Sequence, residues 1–257
     1  PFNDGNGNNS GHVRIYRNIN NTWTQVGGDI DGERYSDQSG YSVSLSSDGS
    51  IVAIGAPYNY SHRFGHVRIY KNINNIWTQV GGDIDGEAAG DFSGVSLSLS
   101  SDGSVVAIGA IGNDGNGEDS GHVRIYQNVN NAWTQVGGDI DGEAAGDYFG
   151  GSVEGERNSV SLSSDGSVVA IGALYNSNNN GTSSGHVRIY QNDNGTWTQI
   201  GSDIDGEASL DESGSSVSLS ADGSIVAIAA ERNDIYGNNS GHVKIYRNHN
   251  GTWTQVG

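Results

Sequence analysis

The sequence predicts an all-β fold, a β-propeller of four-stranded antiparallel blades, on three observations. First, G-H-V-[RK]-I-Y occurs five times, and a Trp follows each His eleven residues on: His12/Trp23, His66/Trp77, His122/Trp133, His186/Trp197 and His242/Trp253. Second, a stretch typified by Tyr41 to Ala56 (Y-S-V-S-L-S-S-D-G-S-I-V-A-I-G-A) recurs between these copies. Third, no segment keeps helical periodicity over three turns. Such units cannot bury their apolar faces alone and must stack on one another.

Within the unit from Gly40 to Gly81, Ser42 to Ser46 alternates polar and apolar residues, the period of a half-buried strand. Asp48-Gly49 predicts a two-residue hairpin turn. Ile51 to Ala56 is a run of small apolar residues, suited to a strand covered on both faces. Gly65 to Tyr70 alternates again, with Val67 and Ile69 on one face and His66, Arg68 and Tyr70 on the other. An Asn-rich turn, written Asn194-Gly195 and Asn250-Gly251 in later copies, leads into Trp77-Thr78-Gln79-Val80.

There are five H-V-[RK]-I-Y and five W-T-Q strands but four of each inner type, so the chain reads as four full repeats and a half. The predicted domain is single, 1–257, with a half repeat at 1–27 and repeats near 28–81, 82–137, 138–201 and 202–257. The half repeat either belongs to a longer array, closes a ring, or reaches a neighbouring molecule through its exposed edges. One repeat is longer: Asp147 to Asp165 spans 18 residues where Asp37 to Asp48, Asp91 to Asp102 and Asp211 to Asp222 span 11. The extra residues lie around Val153 to Ser159, where an asymmetric function could reside, although a tolerated loop expansion explains them as well.

A net charge of −18, from 12 Lys and Arg against 30 Asp and Glu, argues against a nucleic-acid partner, since no basic stripe meets the phosphates. Cations or basic surfaces fit better. Cysteine is absent, which removes disulfides, thiolate nucleophiles and cysteine-ligated zinc. The sequence holds no apolar run long enough for a membrane span. It opens on Pro1 without an initiator Met, which predicts a processed or partial stretch. N-x-[ST] sequons at Asn8, Asn20, Asn59, Asn180, Asn194, Asn238 and Asn250 fall in predicted turns and point, with the low Lys content, to an extracellular or cell-surface glycoprotein.

The pairs Ser39-Gly40, Ser93-Gly94, Phe149-Gly150 and Ser213-Gly214, each before an alternating strand, combine with Gly55-Ala56-Pro57 and its variants Gly109-Ala110-Ile111, Gly172-Ala173-Leu174 and Ala229-Ala230-Glu231. In these segments the chain resembles FG-GAP repeats, the propeller units at the head of integrin α chains and of many secreted proteins. The resemblance covers essentially the whole chain and implies a propeller. Calcium-binding members carry an Asp-rich loop where this chain has Ser47-Asp48-Gly49-Ser50 and the equivalents at Asp102, Asp165 and Asp222. That short turn cannot supply six to eight oxygen ligands, so the family's calcium site does not carry over.

A different acidic cluster precedes each repeat: Asp29, Asp31, Glu33, Asp37; Asp83, Asp85, Glu87, Asp91; Asp139, Asp141, Glu143, Asp147; and Asp203, Asp205, Glu207, Asp211. Alternating carboxylates before a Gly suit calcium, while the alternative is a solvated connection whose last Asp caps turn amides. The five His read as structural groups that hydrogen-bond a neighbouring turn. The five Trp read as filling between blades, with sugar stacking as the functional alternative. No catalytic constellation stands out. The expectation is therefore a non-enzymatic, extracellular structural or adhesive propeller, a subunit of a surface or filamentous assembly with protein partners. The alternative is a multivalent, calcium-assisted glycan-binding propeller.

Overall fold

A computed structural model describes residues 1–59, 62–152 and 158–257. A half blade holds β1 (His12–Val13), β2 (Tyr16–Ile19), β3 (Thr22–Gln25) and β4 (Ile30–Asp31). Blade 1 holds β5 (Ser42–Leu45), β6 (Ile51–Ala56), β7 (His66–Ile73), β8 (Ile76–Gln79) and β9 (Ile84–Asp85). Blade 2 holds β10 (Ser96–Leu99), β11 (Val105–Ala110), β12 (His122–Val129), β13 (Ala132–Gln135) and β14 (Ile140–Asp141). Blade 3 holds β15 (Val160–Leu162), β16 (Val168–Ala173), β17 (His186–Asp193), β18 (Thr196–Gln199) and β19 (Ile204–Asp205). Blade 4 holds β20 (Ser213–Leu219), β21 (Ile225–Ala230), β22 (His242–His249) and β23 (Thr252–Gln255). The described residues contain no helix.

Every blade is an antiparallel meander in chain order. The Ser-rich strands β5, β10, β15 and β20 neighbour one another and line the inside of the arc. The Trp strands form the outer edge. The H-V-[RK]-I-Y strand runs three residues past its expected end because it serves two outer partners. In blade 1, Tyr70 to Ile73 pairs with β8, while His66 and Val67 pair with Asp85 and Ile84 of β9. The Ile-Asp pair, assigned by sequence to the following repeat, thus completes the preceding blade.

The two turns differ from each other. Asn74 and Asn75 both adopt positive φ (53° and 66°), a two-residue hairpin tip of the primed type. The Asp48-Gly49 turn is not the two-residue hairpin the dipeptide suggests. Ser47 to Ser50 form a four-residue tip in which Gly49 N–H donates to Ser46 O at 2.9 Å. The Asp48 carboxylate accepts from Ser46 Oγ and Ser50 N–H, at 2.8 and 2.9 Å, so it stitches the tip rather than forming it. These tips also join blades, since Ser47, Ser101 and Ser164 N–H donate to Ser101, Ser164 and Ala221 carbonyls.

Four apolar clusters hold the arc together, one per seam. Between blades 2 and 3, Val105, Ala107, Val123 and Ile125 meet Val160, Leu162, Val169 and Ile171. Each buried Val or Ile contributes roughly 2 kcal/mol by leaving water. Glycine permits the closest approach: a Cβ at Gly55, Gly109 or Gly172 would overlap the carbonyl oxygen of Gly94, Gly150 or Gly214 in the next blade. The short S-G and G-A segments are the two halves of this contact. Among the described residues, no apolar cluster joins blade 4 to the half blade. The inserted residues 153–157 of the long repeat lie outside the described residues. Their flank Ser159 is buried and its hydroxyl donates to Ser215 O at 3.2 Å.

Candidate cation site between the blades

The Trp side chains lie in the seams, where each indole N–H crosses to the previous unit. Trp77, Trp133, Trp197 and Trp253 donate to the carbonyls of Val26, Val80, Val136 and Ile200, at 2.7, 2.8, 2.8 and 2.9 Å. This is the gap-filling role expected of them. Open grooves of about 330 Å³ lie beside Trp77 and Trp197, lined by Asp29 and Asp31 in one and by Asp139 and Asp141 in the other.

The four acidic residues of each connection do not converge on one ion. Asp37, Asp91, Asp147 and Asp211 are buried and cap turn amides, as Asp37 does by accepting from Arg34 N–H at 2.8 Å. Asn59, Asn176 and Asn233 side chains donate to three of them. Burial pushes the Asp37 carboxyl up, against the opposing backbone hydrogen bond. Asp31, Asp85, Asp141 and Asp205 belong to the two-residue outer strands, and burial raises the last three as well. Among the described residues, no quartet gathers as a whole at one point, although its members enter other groupings.

A different set assembles instead. Glu33 of one connection and Asp83 of the next both face His66 at the start of β7; Glu87, His122 and Asp139 repeat this, as do Glu143, His186 and Asp203. In each trio, ligand-type atoms lie within 4.8 Å of one another. His12 groups with Asp29 and Asp31 in the half blade, whereas in blade 4 Lys244 pairs with Glu207. The recurrence of Glu, His and Asp in phase with the blades was visible in the sequence. That the Glu comes from before the blade and the Asp from after it was not.

The imidazoles do not bond a neighbouring turn as expected. His66, His122 and His186 are buried, and Nε2 of all three has no hydrogen-bond partner. Nδ1 of His122 also has none and faces Asp139 Oδ2 at 3.8 Å. The equivalent His66 Nδ1 to Asp83 Oδ2 distance is 4.0 Å. Both gaps are too wide for a hydrogen bond and about twice a metal–ligand bond length. Burial, aided by the charges of Arg68 and Arg124, lowers His66 and His122 to about 4, which keeps both imidazoles neutral near pH 7.

An arginine on the same strand, which the sequence reading passed over, takes one of two positions. Arg68 and Arg124 reach back to Glu33 and Glu87, at 3.3 and 3.1 Å, and to the carbonyls of Asp31 and Asp85. Arg188 instead forks onto Asp203, with bonds of 2.9 and 2.8 Å, and also engages Glu143. Burial acts to raise the Asp203 carboxyl, but the bonds from Arg188 and Gln199 outweigh it and hold it low. Arg14 donates twice to a single oxygen of Asp29, Oδ2, helping to lower that carboxyl to about 2. In blades 1 and 2, Asp83 and Asp139 keep Oδ2 turned to the imidazole while Oδ1 accepts from Gln79 or Gln135.

Of the sequon residues, Asn8, Asn20, Asn180, Asn194, Asn238 and Asn250 are exposed. Asn59 departs from the expectation of a glycan-bearing turn, since it is buried and its amide donates to Asp37 Oδ1 at 3.3 Å. Among the described residues there is no helix long and apolar enough to cross a membrane.

No protein-family model and no curated protein matches the sequence. Solved structures do. A "putative 6-phosphogluconolactonase" from Bacteroides fragilis matches at TM-score 0.58 and 13% identity, over 95% of this chain and 63% of its own. A protein of the same name from Bacteroides uniformis matches at 0.53 and 14%, over 84% and 52%. TolB from Acinetobacter baumannii matches at 0.50 and 13%, over 95% and 48%. This chain therefore spans between about half and under two thirds of the length of these proteins. The likeness establishes the β-propeller fold. It also corrects the expectation of a non-enzymatic adhesive or glycan-binding propeller, because two of these structures carry an enzyme's name and none carries an adhesive, lectin or integrin one.

Proposed function

We propose that this propeller binds divalent cations in the seams of blades 1 and 2, with Glu33, His66 and Asp83 as one ligand set and Glu87, His122 and Asp139 as the other. The reading rests on one observation: the buried His122 Nδ1 has no hydrogen-bond partner and faces a carboxylate oxygen 3.8 Å away. An imidazole with two carboxylates suits zinc or manganese better than calcium, which prefers an all-oxygen shell. With the imidazole neutral, two carboxylates and one arginine leave the cluster negative, and the chain's charge of −18 adds attraction. In blade 3, Arg188 already holds both carboxylates, so that cluster binds more weakly. The short glycine segments support an FG-GAP-like propeller, with its cations held by seam residues rather than by the family's loop.

Titration calorimetry with zinc and with manganese tests this. Two equivalent sites are expected, with His66→Ala and His122→Ala each removing one and calcium giving little heat. Cobalt provides a second readout through its visible spectrum. Binding that survives both His substitutions would refute the assignment. The names of two similar propellers supply a second reading, lactone hydrolysis. It is favoured by the partly exposed Glu87 and Asp139 side chains (48% and 31%), which leave the cluster open to substrate and water. Turnover of 6-phosphogluconolactone by the zinc-loaded protein, absent in His122→Ala, would support it.

A further inference from the structure

The Glu-His-Asp clusters of blades 1, 2 and 3 are built from the same residue types, with the same Arg and Tyr beside each. Their arginines nonetheless take two positions. In blades 1 and 2, Arg68 and Arg124 lie back over Tyr70 and Tyr126, with the guanidinium carbon 5.6 and 5.7 Å from the ring centre. Their carboxylate partner is the Glu, which leaves Oδ2 of Asp83 and Asp139 turned to the imidazole. In blade 3, Arg188 forks onto Asp203 instead, and its Nη2 takes up that Oδ2 at 2.8 Å while also meeting Glu143. The same surroundings in two arrangements make this arginine a two-position element.

We infer that Glu143, His186 and Asp203 form a third divalent-cation site in blade 3, and that Arg188 is its gate, a cation of the chain itself seated where the metal would sit. His186 points to a ligand beyond the two carboxylates. Its side chain is 2% exposed, and its Nε2 has no hydrogen-bond partner. Its Nδ1 lies 3.9 Å from Asp203 Oδ2 and 4.0 Å from Glu143 Oε2, too far for a hydrogen bond to either.

The open position of the gate is already built. Tyr190 follows Arg188 as Tyr70 follows Arg68, so a guanidinium that swings back over its ring frees Asp203 Oδ2 and keeps Glu143 within reach. The inference rests on the reading of the seams as cation sites and adds their regulation. In blade 3 an incoming cation must break a bidentate, charge-assisted pair, so this site fills last. Blades 1 and 2, whose arginines have withdrawn, fill first.

Zinc titration calorimetry tests the gate in a His66→Ala, His122→Ala double variant, with circular dichroism to verify folding. With Arg188 in place, no binding is expected in the zinc range that fills blades 1 and 2 of wild type. Adding Arg188→Gln is expected to restore one site, tightened by about tenfold or more through release of the fork. Adding His186→Ala is expected to abolish it again. Wild type supplies a second readout that needs no folded Arg188→Gln protein. The Arg188 Nε–H resonance, identified by its loss in Arg188→Lys, is expected to shift at zinc roughly tenfold above that range. Two sites in wild type with none gained through Arg188→Gln, or an Arg188 resonance that stays put, would overturn the gate and leave blades 1 and 2 as assigned. No binding by wild type beside one site gained through Arg188→Gln would uphold the gate and refute that assignment.

Discussion

Blades 2 and 4 are written in nearly the same residues yet live in different surroundings. Val123 and Ile125 are fully buried in blade 2, while their counterparts Val243 and Ile245 face solvent. Gly109 accepts a neighbouring carbonyl where blade 4 has Ala229. His122 sits in a carboxylate cluster with Arg124, whereas blade 4 pairs Lys244 with Glu207. The strand pattern is therefore a property of the single unit, while burial, the glycine requirement and the Glu-His-Asp trios arise only where two units meet. This is the expectation for a fold whose stability is a sum of units and nearest-neighbour seams.

The sharpest way to break the comparison is to place a charge at both valines. Val123→Asp buries an unpaired carboxylate and is expected to cost about 3–5 kcal/mol, while Val243→Asp, in the monomer, stays within about 0.5 kcal/mol of wild type. Urea denaturation measures both. Equal losses would mean that blade 4 is covered in solution.

Acid provides the next largest effect, in protein kept free of metal by a chelator. His66 and His122 fall from 6.5 to about 4 on folding, so the unfolded chain binds more protons between those values. Stability is full above pH 6.5 and declines as pH falls toward 4, by roughly 3 kcal/mol for each His at about 1.4 kcal/mol per unit. Denaturation midpoints measured across that window should flatten in a His66→Gln, His122→Gln double variant. An unchanged slope would show that the two imidazoles are not buried neutral.

Gly109→Ala forces two backbones apart and is expected to cost about 1–3 kcal/mol. The reverse change, Ala229→Gly, costs no more than about 1 kcal/mol, through added freedom of the unfolded chain. Calorimetric melting distinguishes them. Trp133→Phe keeps most of the ring packing but removes the bond to Val80 O and is expected to cost about 1 kcal/mol.

Much of the fold was legible because it is local. Alternation in Ser42 to Leu45, the small apolar run at Ile51 to Ala56 and the Asn pair at Asn74-Asn75 each follow from side-chain period or backbone handedness within a few residues. The Asp48-Gly49 tip misled because the carboxylate binds its own loop hydroxyl and amide, which favours a wider turn than the dipeptide alone. The acidic quartets misled for a different reason. Sequence adjacency grouped Asp29 with Asp37, whereas the path from outer edge to axis separates them and brings Glu33 to Asp83 instead. Arg68 was placed on one strand face with His66 and Tyr70, but neither it nor Arg124 was given a role, because their carboxylate partners belong to the adjoining unit.

The hairpin tips near the axis give the arc a polarity. Each Ser amide at positions 47, 101 and 164 points its hydrogen toward a later unit, and among the described residues no tip points one back. The modules are thus vectorial, and any rearranged version must keep their heading. Exchanging the order of two interior modules conserves every donor and acceptor, whereas reversing one would set amide against amide at one junction and carbonyl against carbonyl at the other. Duplication in tandem, the simplest event a gene can undergo, preserves that heading automatically.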